Sequence, residues 1–159
     1  REIMDMEQQL IVKICNTRAA KNRKEIRMPI YATPGAAGAD LFACLERDLI
    51  IKPGERAKIP TGIAMEIPDN LVGLVFARSG LASKKGLTLS NGVGVIDSDY
   101  RGEIMVLVIN QGHEDVIIHD GERIAQIIFL DVLKASFKEV ENLDVTLRGD
   151  KGFGSTGLK

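Results

Sequence analysis

Short β-branched runs, separated by turn residues at roughly 8–12-residue intervals, most constrain this chain, because that rhythm belongs to sandwiches and barrels. Isoleucine and valine together outnumber leucine almost two to one. Branching at Cβ suits a pleated surface better than a helix. The runs are Leu10–Cys15, Asp40–Cys44 after Pro34-Gly35, Asp48–Ile51 before Pro53-Gly54, Gly62–Ile67 before Pro68-Asp69-Asn70, and Leu71–Phe76. Leu87–Ser90 and Gly94–Ile96 flank Asn91-Gly92, a hairpin turn signal. Glu103–Ile109, Val116–Ile118 and Ile124–Val132 complete the set. Glu103–Ile109 is apolar at both parities, which predicts cover on both faces. The last run also fits a helical period through Ile124, Ile127 and Ile128, but its β-branched content and the preceding Gly121 favour a strand. Arg78–Lys85 predicts one short helical turn. Phe137–Leu147 has a helical spacing that Asp144 interrupts.

At 159 residues the chain is one domain's worth, and 45% hydrophobic with 27% charged residues is ordinary for a globular protein. No apolar run is long enough for a membrane-spanning helix. Residues 1–9 are charged and lack the apolar run of a signal peptide, so they read as a trimmed or appended leader. A net charge of −1 argues against a dedicated nucleic-acid coat or membrane-surface binder. It leaves room for a local cluster of cations around a small anion. Cys15 and Cys44 form no metal-ligand pattern. They could make one disulfide, but nothing else looks secreted, so a reducing cytoplasm is expected. His113 and His119 lack Cys or Glu partners at ligand spacing and read as surface residues. Nucleophile-elbow, Walker and zinc signatures are absent.

Four segments carry chemistry-bearing residues. Residues 148–157 contain four glycines in ten positions and too little apolar surface to offset their ordering entropy. They read as a mobile arm that orders on a ligand. Glycines let backbone N–H groups converge on an anion. Arg148 adds a guanidinium suited to phosphate, and Ser155 and Thr156 add hydroxyl donors. Phe153 stands where there is no core, yet its ring can stack on a base. The second segment, Ala77–Lys84, ends a strand at Arg78 and turns, so its N–H groups with Ser79 and Gly80 form a phosphate cradle. An ordinary turn has the same residues. The third, Asn91–Gly102, puts Asp97 directly after an apolar strand, where a water can be held against it. Tyr100 lies in the turn that follows. The same turn is equally explained by Asp97 and Asp99 capping backbone groups. The fourth feature is Asp40, which opens a strand after Gly35–Ala39. Gln126 is a polar residue inside an apolar run, which a strand's outer face also explains.

In order, these segments resemble the five motifs of the trimeric dUTPases: Pro34–Leu41, Arg78–Ala82, Asn91–Gly102, Gly121–Gln126 and the glycine-rich arm. The resemblance runs from about Leu10 to the C-terminus. One departure is Lys151, where the family often has glycine. The resemblance implies an all-β, jelly-roll-like sandwich or barrel of the β-clip type, spanning residues 10–147, with residues 148–159 as a closing arm. It also implies a homotrimer whose sites are shared between subunits. The implied reaction is dUTP plus water giving dUMP and pyrophosphate, which keeps uracil out of DNA and supplies dUMP for thymidylate synthesis. Asp97 would be the general base for water attacking the α-phosphorus. Mg²⁺ would be held mainly by the substrate phosphates, with Asp40 and Gln126 acting through water. Arg78, Ser79 and Gly80 would hold the phosphate chain, and Arg148, Gly154, Ser155 and Thr156 would cover its far end. The hairpin backbone at Gly94, Val95, Ile96 and Asp97, with Asn91, would pair with the uracil edge and leave no room for a 5-methyl group. Tyr100, with Met105, would exclude a 2′-hydroxyl. Phe153 would stack on the base as the arm closes.

Two alternatives are open to test. A dCTP deaminase shares the implied fold, but the position of its catalytic glutamate is Leu107 here, and its Pro-Gly is Ser98-Asp99. A non-catalytic nucleotide-binding trimer is a second, against which the intact Asp97, Tyr100 and arm speak.

Overall fold

The structure, a computed structural model, describes residues 10–17, 26–150 and 152. The expected leader and most of the arm, Lys151 and 153–159, lie outside the described residues. The described residues form twelve strands and one helix: β1 Lys13–Asn16, β2 Ile30–Tyr31, β3 Ala39–Phe42, β4 Leu49–Ile51, β5 Arg56–Pro60, β6 Ile63–Glu66, β7 Leu71–Phe76, α1 Ser79–Lys85, β8 Leu87–Leu89, β9 Gly94–Ile96, β10 Met105–Asn110, β11 Val116–Ile118 and β12 Arg123–Asp131. The largest sheet runs β2-β3-β12-β7-β9; smaller sheets are β5-β10-β8, β1-β6 and β11-β4. Every pairing is antiparallel. This is the expected all-β, jelly-roll-like architecture. Among the described residues no helix is long and apolar enough to cross a membrane.

One core joins the sheets. Leu41, Ile51, Ile59, Ile63, Ile67, Ile104, Val106, Val108, Ile118 and Ile127 are essentially buried. Each such side chain contributes about 1.5–3 kcal/mol relative to exposure. Asn110 is buried among them and satisfied: its Nδ2 donates to the carbonyls of Ile51 and Glu114, both at 2.8 Å, and its Oδ1 accepts from Gly112 N–H at 2.9 Å. It thereby ties β10 to β4 and to the loop before β11. On the surface Lys13 and Glu66 face each other across β1 and β6, 2.8 Å apart. The ammonium holds that carboxyl below the usual range.

Several expectations change. Two strands, β2 and β5, had no signal that separated them from loop. The helical turn at Arg78–Lys85 is a seven-residue helix. Gly92 takes the positive φ of a turn, +71°, yet the strands it joins do not pair with each other. β8 bonds β10, and β9 bonds β7, so Asn91-Gly92 passes between sheets and makes no hairpin ladder. In β10 one parity is buried, but Met105, Leu107 and Ile109 are only half-buried in the single chain. Phe137–Leu147 is neither helix nor strand; from Asp131 to Asp150 every residue is exposed. Phe137 therefore joins Tyr100 as an aromatic outside the strands. Cys15 and Cys44 form no disulfide, and both histidines are exposed, His119 resting on Asp48 at 2.8 Å.

Candidate active site

β12 runs between β3 and β7, with Gln126 opposite Asp40 on one side and Phe76 on the other. Directly opposed residues share a face, so Asp40 and Gln126 sit together where β7 ends and α1 begins. Asp40 is nine-tenths buried yet fully engaged: Arg78 Nε lies 3.0 Å from one carboxylate oxygen and an Arg123 nitrogen 3.2 Å from the other. A second Arg78 nitrogen donates to the Arg123 carbonyl at 3.1 Å. Gln126 Nε2 donates to Ala77 O at 3.0 Å. Its Oε1 lies 2.6 Å from where a Cβ on Gly38 would stand, so the first glycine-rich segment needs glycine there for close approach. Ser79 and Gly80 form the exposed first turn of α1, whose N–H groups precede the first intrahelical bonds, from Leu81 and Ala82 to Arg78 O. In the sequence, Arg123 carries no site signal beyond its place in the fourth motif.

Asp97 follows β9 at the other end of the same sheet. The turn Asp97–Tyr100 closes through Tyr100 N–H to Asp97 O at 3.1 Å, and Arg101 braces it by donating to Ser98 O and Tyr100 O. Among the described residues the carboxylates of Asp97 and Asp99 cap nothing, and Asp97's has no partner. Asp97, Val95, Ile96, Tyr100, Met105, Leu107 and Lys58 line a groove of about 270 Å³. Tyr100 is fixed in its wall: its hydroxyl donates to Glu103 O at 3.0 Å. A Cβ on Gly102 would stand 2.6 Å from the Tyr100 ring carbon Cζ, so glycine lets the ring lie down. Leu107 brings no carboxylate to the groove, and Glu103 directs Oε1 to Gly62 N–H at 2.8 Å. β9 is the last strand of its sheet, so one backbone edge, including Val95, is open. Asn91 and Gly94 adjoin it, Asn91 Nδ2 lying 3.7 Å from a Cβ built on Gly94. A groove of about 720 Å³ between α1 and the loop before β11 is larger, but it holds none of these residues.

The chain does not bring the two groups together. Ile96 lies opposite Gly73, while Arg78 follows the far end of β7. The five residues from Gly73 to Arg78, at ~3.3 Å each, span roughly 17 Å. Arg148 is exposed on the arm; Phe153, Gly154, Ser155 and Thr156 lie outside the described residues.

Among the described residues no group of three or more His, Cys, Asp or Glu side chains is placed to hold a metal. Asp40 spends an oxygen on each arginine, and Gln126 keeps Oε1 as an acceptor. Such a set does not cage a bare ion. It fits one that keeps its waters and takes its charged ligands from phosphates, as Mg²⁺ does.

A dUTPase family profile matches residues 24–157. A deoxyuridine 5′-triphosphate nucleotidohydrolase of Desulfitobacterium hafniense is 60% identical over 148 residues, covering 92% of this chain and 96% of that protein. One from Shigella flexneri is 46% identical over 153 residues, covering 96% and 99%. A Staphylococcus bacteriophage 80alpha dUTPase solved with dUpNHpp superposes with a TM-score of 0.78 at 28% identity, covering 93% of this chain and 99% of that one. With the profile spanning most of its length and these relatives matched almost end to end, the chain belongs to the dUTPase family.

Proposed function

We propose that this protein hydrolyses dUTP to dUMP and pyrophosphate in sites shared between the subunits of a homotrimer. The observation that carries the reading is Asp97: an uncommitted carboxylate in a groove walled by Tyr100 and Met105, beside the open edge of β9. Asp97 orients a water on the α-phosphorus and takes its proton. The β9 edge, with Asn91, presents backbone donors and acceptors to the uracil edge. Tyr100 crowds a 2′-hydroxyl, and a buried site that offers no partner rejects it. Arg78, with the Ser79 and Gly80 N–H groups of another copy, holds the phosphates. Residues 148–159, through Arg148, Phe153, Gly154, Ser155 and Thr156, close the site around base and phosphates. Gln126 Oε1 and the Asp40 carboxylate would accept from the waters of a Mg²⁺ ion, which would supply charge neutralisation for the departing pyrophosphate.

The roughly 17 Å between Gly73 and Arg78, far more than one triphosphate chain spans, supports the reading of shared sites. Phe137, Leu143, Val145 and Leu147 also stand almost wholly in solvent in the single chain. Apolar side chains in such a row need cover, which a neighbouring copy supplies. Two cysteines that form no disulfide suit a reducing cytoplasm. The test is pyrophosphate release from dUTP, dCTP, dTTP and UTP, with and without Mg²⁺. Release from dUTP alone supports the reading. Ammonia from dCTP, or binding without turnover, contradicts it.

A further inference from the structure

Strict alternation along β12 would point Arg123, Ala125 and Ile127 to one face, which is the core face, since Ala125 and Ile127 are wholly buried. Arg123 escapes it through a β-bulge. The pairing of β12 with β3 slips between Arg123 and Ala125: Ala125 opposes Leu41, but Arg123 opposes Phe42. Ile124 is the extra residue, and it and Ala125 are buried in succession. Everything before the bulge changes face, which brings the Arg123 side chain to the Asp40 carboxylate.

The consequence falls on Arg78. Its Nε–H is held by Asp40, and a terminal nitrogen by the Arg123 carbonyl at the bulge. Two of the five guanidinium N–H groups are committed, so the plane is set and the rest face away from the cluster. Asp40 alone would cancel the charge of Arg78; with Arg123 on its other oxygen the cluster keeps a net positive charge. We infer that Arg123, re-aimed by the bulge at Ile124, is a positioning residue that fixes Asp40 and through it orients the Arg78 guanidinium on the substrate's phosphate chain. This rests on the reading of Arg78 as a phosphate-holding group.

The experiment compares wild type with Arg123→Met and Arg123→Lys, by dUTP kinetics and by calorimetric binding of tripolyphosphate and of dUMP. Losing a charge-assisted hydrogen bond predicts a rise of about tenfold in KM for dUTP and in Kd for tripolyphosphate. The kcat and the dUMP affinity stay within about twofold of wild type, since the lost contact holds phosphate equally in ground and transition states. Arg123→Lys recovers part of the loss, and in an Arg78→Ala background Arg123→Met adds nothing. An unchanged tripolyphosphate Kd, or equal losses for dUMP and tripolyphosphate, overturns the positioning role; equal losses with a lowered melting temperature mark Arg123 as merely structural. If wild type binds tripolyphosphate but does not hydrolyse dUTP, the proposed function fails and the tripolyphosphate comparison still decides Arg123. Wild type that binds neither phosphate ligand overturns both.

Discussion

Two inactive variants of this protein should restore each other when mixed. Ile96 and Arg78 flank opposite ends of β7, and five extended residues put roughly 17 Å between Gly73 and Arg78. The proposed shared site takes Asp97 from one copy and Arg78 from another. Asp97→Asn removes the base, a loss of about 10²–10⁴-fold. Arg78→Ala removes the charged phosphate contact, about tenfold to a hundredfold. Unfolding the two together in equal amounts and refolding them assembles copies at random around a closed ring of identical interfaces. Half of the base-donating positions then carry intact Asp97, and half of the phosphate-holding positions carry intact Arg78. About a quarter of the sites are whole, and the mixture recovers about a quarter of wild-type pyrophosphate release at dUTP well below the wild-type KM, where the lost phosphate contact is felt. If each chain built its own site, every site would keep one defect. A mixture no more active than the mean of its parents refutes the shared site.

Three further outcomes follow from the same geometry. Tyr100→Ala relaxes discrimination, raising kcat/KM for UTP relative to dUTP by about tenfold; an unchanged ratio removes Tyr100 from that role. Gly102→Ala forces the Tyr100 ring away and breaks its 3.0 Å bond to Glu103 O. It should lower stability by about 1 kcal/mol in denaturant melts and shift the UTP/dUTP ratio the same way; a variant equal to wild type in both shows that the ring's position does not matter. Deleting residues 148–159 leaves the melting transition in place but cuts kcat by tenfold or more, on the order of a lost closing segment; normal turnover by the truncated protein contradicts the closing arm.

Most of the strands were legible because Ile and Val sit in runs with turn residues between them, as in β7, β11 and β12. β5 was not: Arg-Ala-Lys-Ile-Pro offers two inward apolar side chains and ends on proline, so its pattern is faint, and only pairing with β10 makes it a strand. Two-residue β2 carries no period at all. Asn91-Gly92 gave the correct backbone conformation but the wrong partners, since a turn signal is local and the choice between β7 and β10 is made by the core. The site divides the same way. Asp97, Tyr100 and Met105 were legible because they follow one another closely in chain and line one groove. The link from Asp40 to Arg78 was hidden by 37 intervening residues. Arg123 was hidden for a further reason: its face depends on a bulge, and one extra residue inverts what alternation predicts.

Turnover by the Asp97→Asn protein tests the central claim most directly, measured as pyrophosphate release from dUTP beside the affinity for a non-hydrolysable dUTP analogue. The substitution keeps the shape of a side chain that has no partner among the described residues, so the fold and the groove survive it. The account predicts analogue affinity within about threefold of wild type and a kcat lower by about 10²-fold or more. A kcat near that of wild type, with the analogue bound normally, would contradict Asp97 as the base and with it the mechanism built around the groove.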